Sequence, residues 1–206
     1  MSHNNEVRMD ERRRLLGLAV AGGAALVLGG GFALPRLLAA GADDDQPGLI
    51  HTTPGDVLLE IFANDGRDLG ARRLPRLVLS DAEWHRRLSP EAFEILRRSG
   101  TERAFSGPHE RPTARGLYRC AGCATALYDD ATQFDSGTGW PSFWQPISKL
   151  NVIERSDASF GMLRTEVRCA RCEGHLGHVF DDGPRPTGLR YCMNSVALRF
   201  VARTAG

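Results

Sequence analysis

The 206-residue chain has almost no lysine: Lys149 is the only one, and arginine supplies the remaining basic residues. An excess of either charge is also missing, since the formal net charge is +1. Five arginines fall within residues 1–42, which leaves the rest of the chain close to neutral. Proteins that bind nucleic acid through its phosphates need a basic surface. The charge balance therefore argues against a nucleic-acid partner.

The chain also has no unusual excess or shortage of hydrophobic or charged residues. Hydrophobic residues make up 42% of the chain and charged residues 25%, and both values are ordinary for a globular domain. A chain of this length predicts one domain, or one domain with an appendage. No feature of the sequence predicts an oligomer, and we expect a monomer.

One apolar run, at residues 15–33, carries no charge. The preceding arginines at 12–14, followed by Leu15 and Leu16, resemble a twin-arginine export signal. Ala40-Gly41-Ala42 is a small-residue cleavage site. Residues 1–42 are therefore interpreted as a signal peptide, which predicts export to the periplasm. The alternative is an uncleaved helix that anchors the chain in the membrane, because the run is just long enough to span a bilayer.

Residues 43–79 carry no usable motif and are interpreted as a linker or N-terminal extension with one alternating segment, at 57–62. Helix signals begin with Ser80 and Glu83, which form a capping box. Ser89 followed by Pro90 predicts the start of a second helix, which Gly100 would end. Two short helices are thus expected before the main body of the domain.

From Leu117 onward the hydrophobic period changes to two. Leu163, Thr165 and Val167 alternate with charged residues, and a second alternation follows at 196–201. Glycine and proline separate these stretches, as they do between antiparallel strands. We predict a mainly β domain of antiparallel sheets with two N-terminal helices, spanning residues 80–203.

Four of the five cysteines form two C-x-x-C pairs: Cys120 with Cys123, and Cys169 with Cys172. Two such pairs suit one tetrahedral Zn²⁺, and a site closed by four sulfurs has a structural role. Their separation predicts that zinc joins two hairpins of a larger sheet. Disulfides and a redox-active pair are the alternatives, although no helix pattern follows either pair as a thioredoxin-like motif requires.

The fifth cysteine, Cys192, is unpaired. A lone cysteine in a strand is often only a small buried hydrophobe. Here Arg190 and Asn194 lie two residues to either side, on the same face of the predicted strand. A neighbouring cation favours the thiolate, and His175 and His178 offer an acid. The pattern indicates a cysteine nucleophile with a proton source.

Three blocks now resemble a known family. They are GTGWPSF at 137–143, GHLGHVFDDGP at 174–184 and RYCMNS at 190–195. Together with both C-x-x-C pairs, LSPE at 88–91 and GTERAFSG at 100–107, they are similar to the methionine-R-sulfoxide reductases of the MsrB family, zinc-containing type. The resemblance covers about residues 80–203 and implies a β-tent fold of two antiparallel sheets.

The resemblance also implies a reaction, the reduction of methionine-R-sulfoxide in peptides or free. Cys192 would attack the sulfoxide sulfur, while His175, His178 and Asn194 bind and protonate its oxygen. Arg190 would hold the thiolate. The substrate would contact three aromatic residues, Trp140, Phe143 and Phe180. On the residues alone Trp140 could equally be a core aromatic, and the histidines could be zinc ligands if four cysteines did not already complete the tetrahedron.

One position departs from the family pattern. Many members carry a second, resolving cysteine in the first block, where this chain has Thr138. Attack would leave Cys192 as a sulfenic acid, which thiols reduce. We therefore expect a thioredoxin-like protein or a small thiol to reduce Cys192 directly, without an internal disulfide. A zinc-stapled binding module and a Cys-His hydrolase remain the competing functional hypotheses.

Overall fold

The computed structural model describes residues 48–107, 114–158 and 163–203. The signal peptide predicted for residues 1–42 lies outside these ranges. Within them, no helix has both the length and the apolar character needed to cross a membrane.

Two short helices precede the sheets, as predicted. Helix α1 (Asp81–Arg87) starts at the capping box, where the Glu83 carboxylate accepts hydrogen bonds from the Ser80 N–H and hydroxyl at 2.8 and 2.7 Å. Helix α2 (Pro90–Arg98) starts at Ser89, whose hydroxyl accepts a bond from the Ala92 N–H. It ends at Ser99 in the left-handed conformation, one residue before the predicted Gly100. Its buried face packs Phe93 and Leu96 into the core.

Two antiparallel sheets form the body of the domain, which confirms the predicted mainly β fold. The smaller has the strand order β11-β3-β4: β3 is Gly116–Cys120, β4 is Ala126–Asp129 and β11 is Leu198–Ala202. The larger has the order β5-β6-β10-β9-β8-β7. Its strands are Gln133–Phe134 (β5), Ser142–Phe143 (β6), Val152–Asp157 (β7), Arg164–Cys169 (β8), His175–Phe180 (β9) and Arg190–Met193 (β10).

Aromatic stacking fills the core between the sheets. The ring of Tyr128 on β4 stacks on Phe143 of β6, with centroids 4.3 Å apart, and Tyr118 of β3 meets the same ring edge-on at 5.0 Å. Leu176 and Met193 complete this region, and both are fully buried. The strands of the two sheets thus share one hydrophobic core, and β6, β9 and β10 pack one face against it.

The N-terminal extension is more ordered than the sequence predicts. The alternating segment at 57–62 is strand β1 (Asp56–Phe62), and a second strand, β2 (Asp68–Pro75), pairs with it in an antiparallel hairpin. Strand β2 is almost wholly exposed and therefore lacks the alternation that would reveal it. The prediction of one strand in this linker or N-terminal extension is therefore corrected to two.

Asn151 joins this hairpin to both sheets and is fully buried. Its amide oxygen accepts a bond from the Glu60 N–H, and its amide nitrogen donates to the carbonyls of Glu60 and Ala126, all at 2.8–2.9 Å. One side chain therefore links β1 and β4 at the start of β7.

We predict that Asn151→Ala lowers the free energy of unfolding by about 3 kcal/mol, because it leaves buried backbone groups without partners. Urea unfolding followed by circular dichroism measures the change. The matched control is Asn64→Ala, since exposed Asn64 only accepts a bond from Arg119, and its cost should stay below about 1 kcal/mol. Equal costs for the two variants would contradict the assigned role of Asn151.

Candidate functional site

The four cysteines of the C-x-x-C pairs come together in one buried cluster. Their sulfur atoms all lie within 4.8 Å of one another, with Cys120 3.7 Å from Cys172 and Cys123 3.4 Å from Cys169. A disulfide would need about 2.05 Å, and all four cysteines are free, both within and between the pairs. Zinc–sulfur bonds of about 2.3 Å in a tetrahedron place the sulfurs roughly 3.8 Å apart. The donor set and its spacing fit a tetrahedral metal.

Both pairs sit on the same type of backbone turn. The residue after each pair, Ala124 or Glu173, adopts the left-handed conformation, with φ of 62° and 54°. Its N–H donates back to the carbonyl of the first cysteine, at 2.9 Å in one turn and 2.8 Å in the other. One turn joins β3 to β4 and the other joins β8 to β9. The cluster therefore connects hairpins from two different sheets, whereas the sequence predicted two hairpins of one sheet.

Cys192 lies elsewhere, in the middle of the larger sheet. On β10 it pairs with Ser142 of β6 on one side and with His178 of β9 on the other. It is half-buried and faces a small cleft of about 140 Å³. The cleft is lined by Thr101, Trp140, Arg164, Gly177, His178, Phe180, Cys192, Met193 and Asn194. The structure thus brings five of the predicted site residues into one cavity.

Burial raises the pKa of the Cys192 thiol above its ordinary value, and the Arg190 guanidinium offsets this only in part. Hydrogen bonds from the hydroxyls of Thr138 and Ser142 to the Cys192 sulfur act in the same direction as Arg190. The Ser136 hydroxyl lies 2.8 Å from both of these hydroxyls. Cys192 therefore belongs to a hydroxyl cluster, and its thiol form predominates at neutral pH.

A bulge explains how two histidines three residues apart share one face. Between β8 and β9 the register shifts, so that Val167 pairs with Gly177 and Arg168 with His175, which leaves Leu176 as the extra residue. His175 and His178 consequently point to the same side, with ring centroids 5.4 Å apart. In a regular strand, residues at this spacing would face opposite sides.

Each histidine is bound by a carboxylate. His178 Nε2 lies 2.8 Å from Asp157, which also pairs with Arg164. His175 Nδ1 lies 2.7 Å from Glu166. His178 lines the cleft, but His175 is only 1% exposed and stays outside the lining. Burial lowers the pKa of His178 below its usual value, and Arg164 and His175 add to this, while the bond to Asp157 opposes it.

Glu102 fixes the far wall of the cleft. Its buried carboxylate accepts bonds from the Ser195 N–H and hydroxyl at 2.7 and 2.8 Å. Its own N–H donates to the Asn194 side chain at 2.9 Å, and its carbonyl accepts a bond from the Trp140 indole at 3.2 Å. Asn194 also donates to the Leu176 carbonyl. The loop before β3 thereby holds both Trp140 and Asn194 toward Cys192.

Phe143 does not belong to the cleft, which corrects the interpretation of this residue as a substrate contact. It has no exposed surface and stacks on Tyr128 in the core. Ser142 and Phe143 are neighbours on β6 and must face opposite sides, so only Ser142 reaches Cys192. Phe180 does line the cleft, under the Arg190 guanidinium at 4.4 Å. Asp182 holds that guanidinium with two bonds of 2.8 Å.

Comparison with known proteins matches residues 88–202, more than half of the chain, to the SelR domain. The peptide methionine sulfoxide reductase MsrB of Agrobacterium fabrum is 53% identical over 126 residues, which is 61% of this chain and 93% of that protein. The protein of the same name from Thiobacillus denitrificans is 55% identical over 121 residues, 59% and 92% of the two chains. The chain belongs to the MsrB family.

Several residues that shape this MsrB site escaped the sequence analysis. Asp157, Glu166 and Glu102 act through side chains that no local motif places near Cys192, because β7, β8 and the loop before β3 are distant in sequence. Thr138 was noted only as a departure from the family pattern. Ser142 could have been found, since it lies in the same block, two residues after Trp140.

We predict that the rate of Cys192 alkylation by iodoacetamide rises with a pH midpoint above that of a free thiol, about 8.5. Arg190→Gln should move the midpoint higher still, because it removes the cation that favours the thiolate. Mass spectrometry of the peptide that contains Cys192 separates its signal from the other cysteines. The control is Arg155→Gln, an exposed arginine of β7, which should leave the midpoint unchanged. A midpoint below that of a free thiol would refute this account.

Proposed function

We propose that this MsrB-family chain reduces methionine-R-sulfoxide in peptides to methionine, with Cys192 as the nucleophile. The observation that carries the proposal is the shared cleft, where the Cys192 thiol, the His178 imidazole and the Trp140 ring meet around about 140 Å³. A nucleophile, an acid and an apolar wall in one small cavity are what thiol attack on a sulfoxide requires.

The reaction transfers one oxygen atom. The Cys192 sulfur attacks the sulfoxide sulfur and forms a sulfur–sulfur bond. The protonated oxygen then passes from the substrate sulfur to the Cys192 sulfur while the sulfur–sulfur bond breaks, so that methionine leaves and Cys192 becomes a sulfenic acid. Oxygen departs readily only when it is protonated, so a positioned acid is needed. His178 relays that proton: its Nε2–H donates to Asp157, which leaves the unprotonated Nδ1 to accept the proton of the thiol and pass it to the sulfoxide oxygen.

The opposed pKa shifts suit this proton transfer. Burial raises the pKa of Cys192 and lowers that of His178, so both groups are neutral at neutral pH. As the thiol loses its proton to His178 and the imidazole passes it to the sulfoxide oxygen, no net charge accumulates in the cleft. Glu166 fixes His175, whose ring packs against that of His178. This contact keeps the His178 ring oriented.

Apolar contacts select the substrate. Trp140 and Phe180 line the cleft and would pack against the methyl end of the methionine side chain, and the Asn194 amide, which lines the same cleft, would face the oxygen. A larger open depression of about 870 Å³ shares Arg164 and Phe180 with the cleft. It gives room to the polypeptide on one side of the oxidised residue, which supports a peptide substrate.

An external thiol completes the cycle. The Thr138 hydroxyl occupies the place beside Cys192 where many family members carry a resolving cysteine. Two thiols from a thioredoxin-like protein or a small molecule reduce the sulfenic acid to thiol and water, and become a disulfide. The hydroxyls around Cys192 would stabilise the sulfenic acid until that reductant arrives.

The cysteine cluster is proposed to hold one structural zinc ion through Cys120, Cys123, Cys169 and Cys172. When bound, the metal supplies a cross-link between the two sheets and no chemistry at Cys192. Export to the periplasm is proposed on the twin-arginine-like signal at residues 1–42 alone.

We expect single-turnover reactions of the full chain to consume the R epimer of a methionine-sulfoxide peptide and not the S epimer. Cys192→Ser should abolish turnover, and the wild type should gain one sulfenic acid per methionine formed, trapped by dimedone. The control is Arg155→Gln, the exposed arginine of β7, which should keep wild-type turnover. Turnover in Cys192→Ser, or an internal disulfide in place of the sulfenic acid, would refute the proposed mechanism.

His178 gives the reaction its acid limb. The single-turnover rate should fall as the pH drops through the His178 pKa, because a protonated His178 cannot accept the proton of the thiol. That pKa lies below the ordinary histidine value of about 6.5. Asp157→Asn should shift this limb to lower pH, because the bond to Asp157 raises the His178 pKa. His178→Gln should slow turnover by about 100-fold, whereas His85→Gln on α1 should change nothing. A limb that stays in place in Asp157→Asn would contradict the assignment.

A further inference from the structure

Arg97, in the last turn of α2, is a buried cation that the site described above does not use. Its side chain is almost completely enclosed, with 2% exposure. The guanidinium lies over the Trp84 ring, 4.7 Å from its centroid. It donates to the carbonyl oxygens of Cys172, at 2.8 Å, and Ile50, and its Nε has no hydrogen-bond partner.

A buried guanidinium is costly unless an anion compensates it. In the described part of the chain no carboxylate lies within ion-pair distance of Arg97. Glu173, the carboxylate next to Cys172, pairs instead with Arg76 and accepts bonds from Thr53. The neutral carbonyls around Arg97 accept bonds from its two terminal nitrogens without balancing its charge.

The cysteine cluster can balance it. Four thiolates around one divalent zinc ion carry a net charge of −2, and the guanidinium hydrogen-bonds the backbone of one of the four ligands. Trp84, which packs under Arg97, also lies against the other turn: a Cβ at Gly122 would be 3.3 Å from its ring. Arg97 and Trp84 thus sit where both metal-binding turns meet α1 and α2.

We propose that Arg97 is the buried counter-cation of the metal–thiolate centre, held in place by the N-terminal extension. Two extension residues contact it directly, through the Ile50 carbonyl and the Thr52 hydroxyl. The Thr52 hydroxyl also donates to the Cys172 carbonyl at 2.6 Å. These residues lie outside the matched SelR domain of residues 88–202. The extension therefore closes the metal site from the side of Cys172 and fixes the cation against it.

Zinc retention in the full-length protein tests this inference. Arg97→Met removes the charge and keeps the apolar stem, and Arg97→Lys keeps the charge. Zinc transfer from the loaded proteins to a colorimetric chelator should show roughly 10- to 100-fold weaker retention in Arg97→Met and a much smaller loss in Arg97→Lys. Thr52→Val, which lacks the hydroxyl, should also weaken zinc retention. Thr52→Ser, which keeps the hydroxyl, should retain zinc as the wild type does. The matched control is Arg72→Met, which removes an exposed arginine of strand β2.

A second measurement separates charge compensation from general destabilisation. Arg97→Met should lower the thermal midpoint of the zinc-loaded protein but leave unchanged or raise that of the reduced, zinc-free protein, since a cation without its anion is only a cost. Wild-type retention in Arg97→Met, or equal losses of stability with and without zinc, would overturn the proposal. A wild type that binds no zinc would refute the proposed metal site itself, whereas epimer-specific turnover is independent of both results.

Discussion

The position of β10 between β6 and β9 determines which side chains meet at Cys192. Antiparallel pairing puts Ser142 on one side of the thiol and His178 on the other. The approach is close: a Cβ on Gly177 would lie 2.1 Å from the Cys192 carbonyl oxygen, so the strands could not pair this way with a larger residue there. The positions of Cys192, Ser142 and His178 relative to one another are therefore set by backbone register.

The Cys192 thiol and the cysteine cluster have opposite electrostatic surroundings in this domain. At Cys192 the surroundings disfavour ionisation of the thiol and of the His178 imidazole. Both groups therefore stay neutral in the resting site. The surroundings of the cysteine cluster favour charged groups instead, because the permanently charged Arg97 guanidinium is enclosed beside it. The Cys192 thiol and the four clustered thiols thus have different electrostatic environments within one chain.

Local sequence rules predicted the elements whose signals are local. The capping box at Ser80, Pro90 at the start of α2, the alternation of β8 and the two C-x-x-C turns all appear where expected. Features that depend on tertiary pairing were missed. Exposed β2 is a strand because β1 pairs with it, and Phe143 lies in the core because its neighbour Ser142 takes the face toward Cys192. The carboxylates behind the histidines come from other strands, and no spacing in the sequence links them.

The bulge in β9 has a consequence for how this chain can evolve. Leu176 is the extra residue that turns His175 to the same face as His178. Loss or gain of a single residue between the two histidines would rotate one imidazole into the aromatic core and bring an apolar side chain out. We therefore expect the length of this segment to tolerate less change than most of its side chains, and frame-preserving deletions that a surface loop would absorb should be eliminated here.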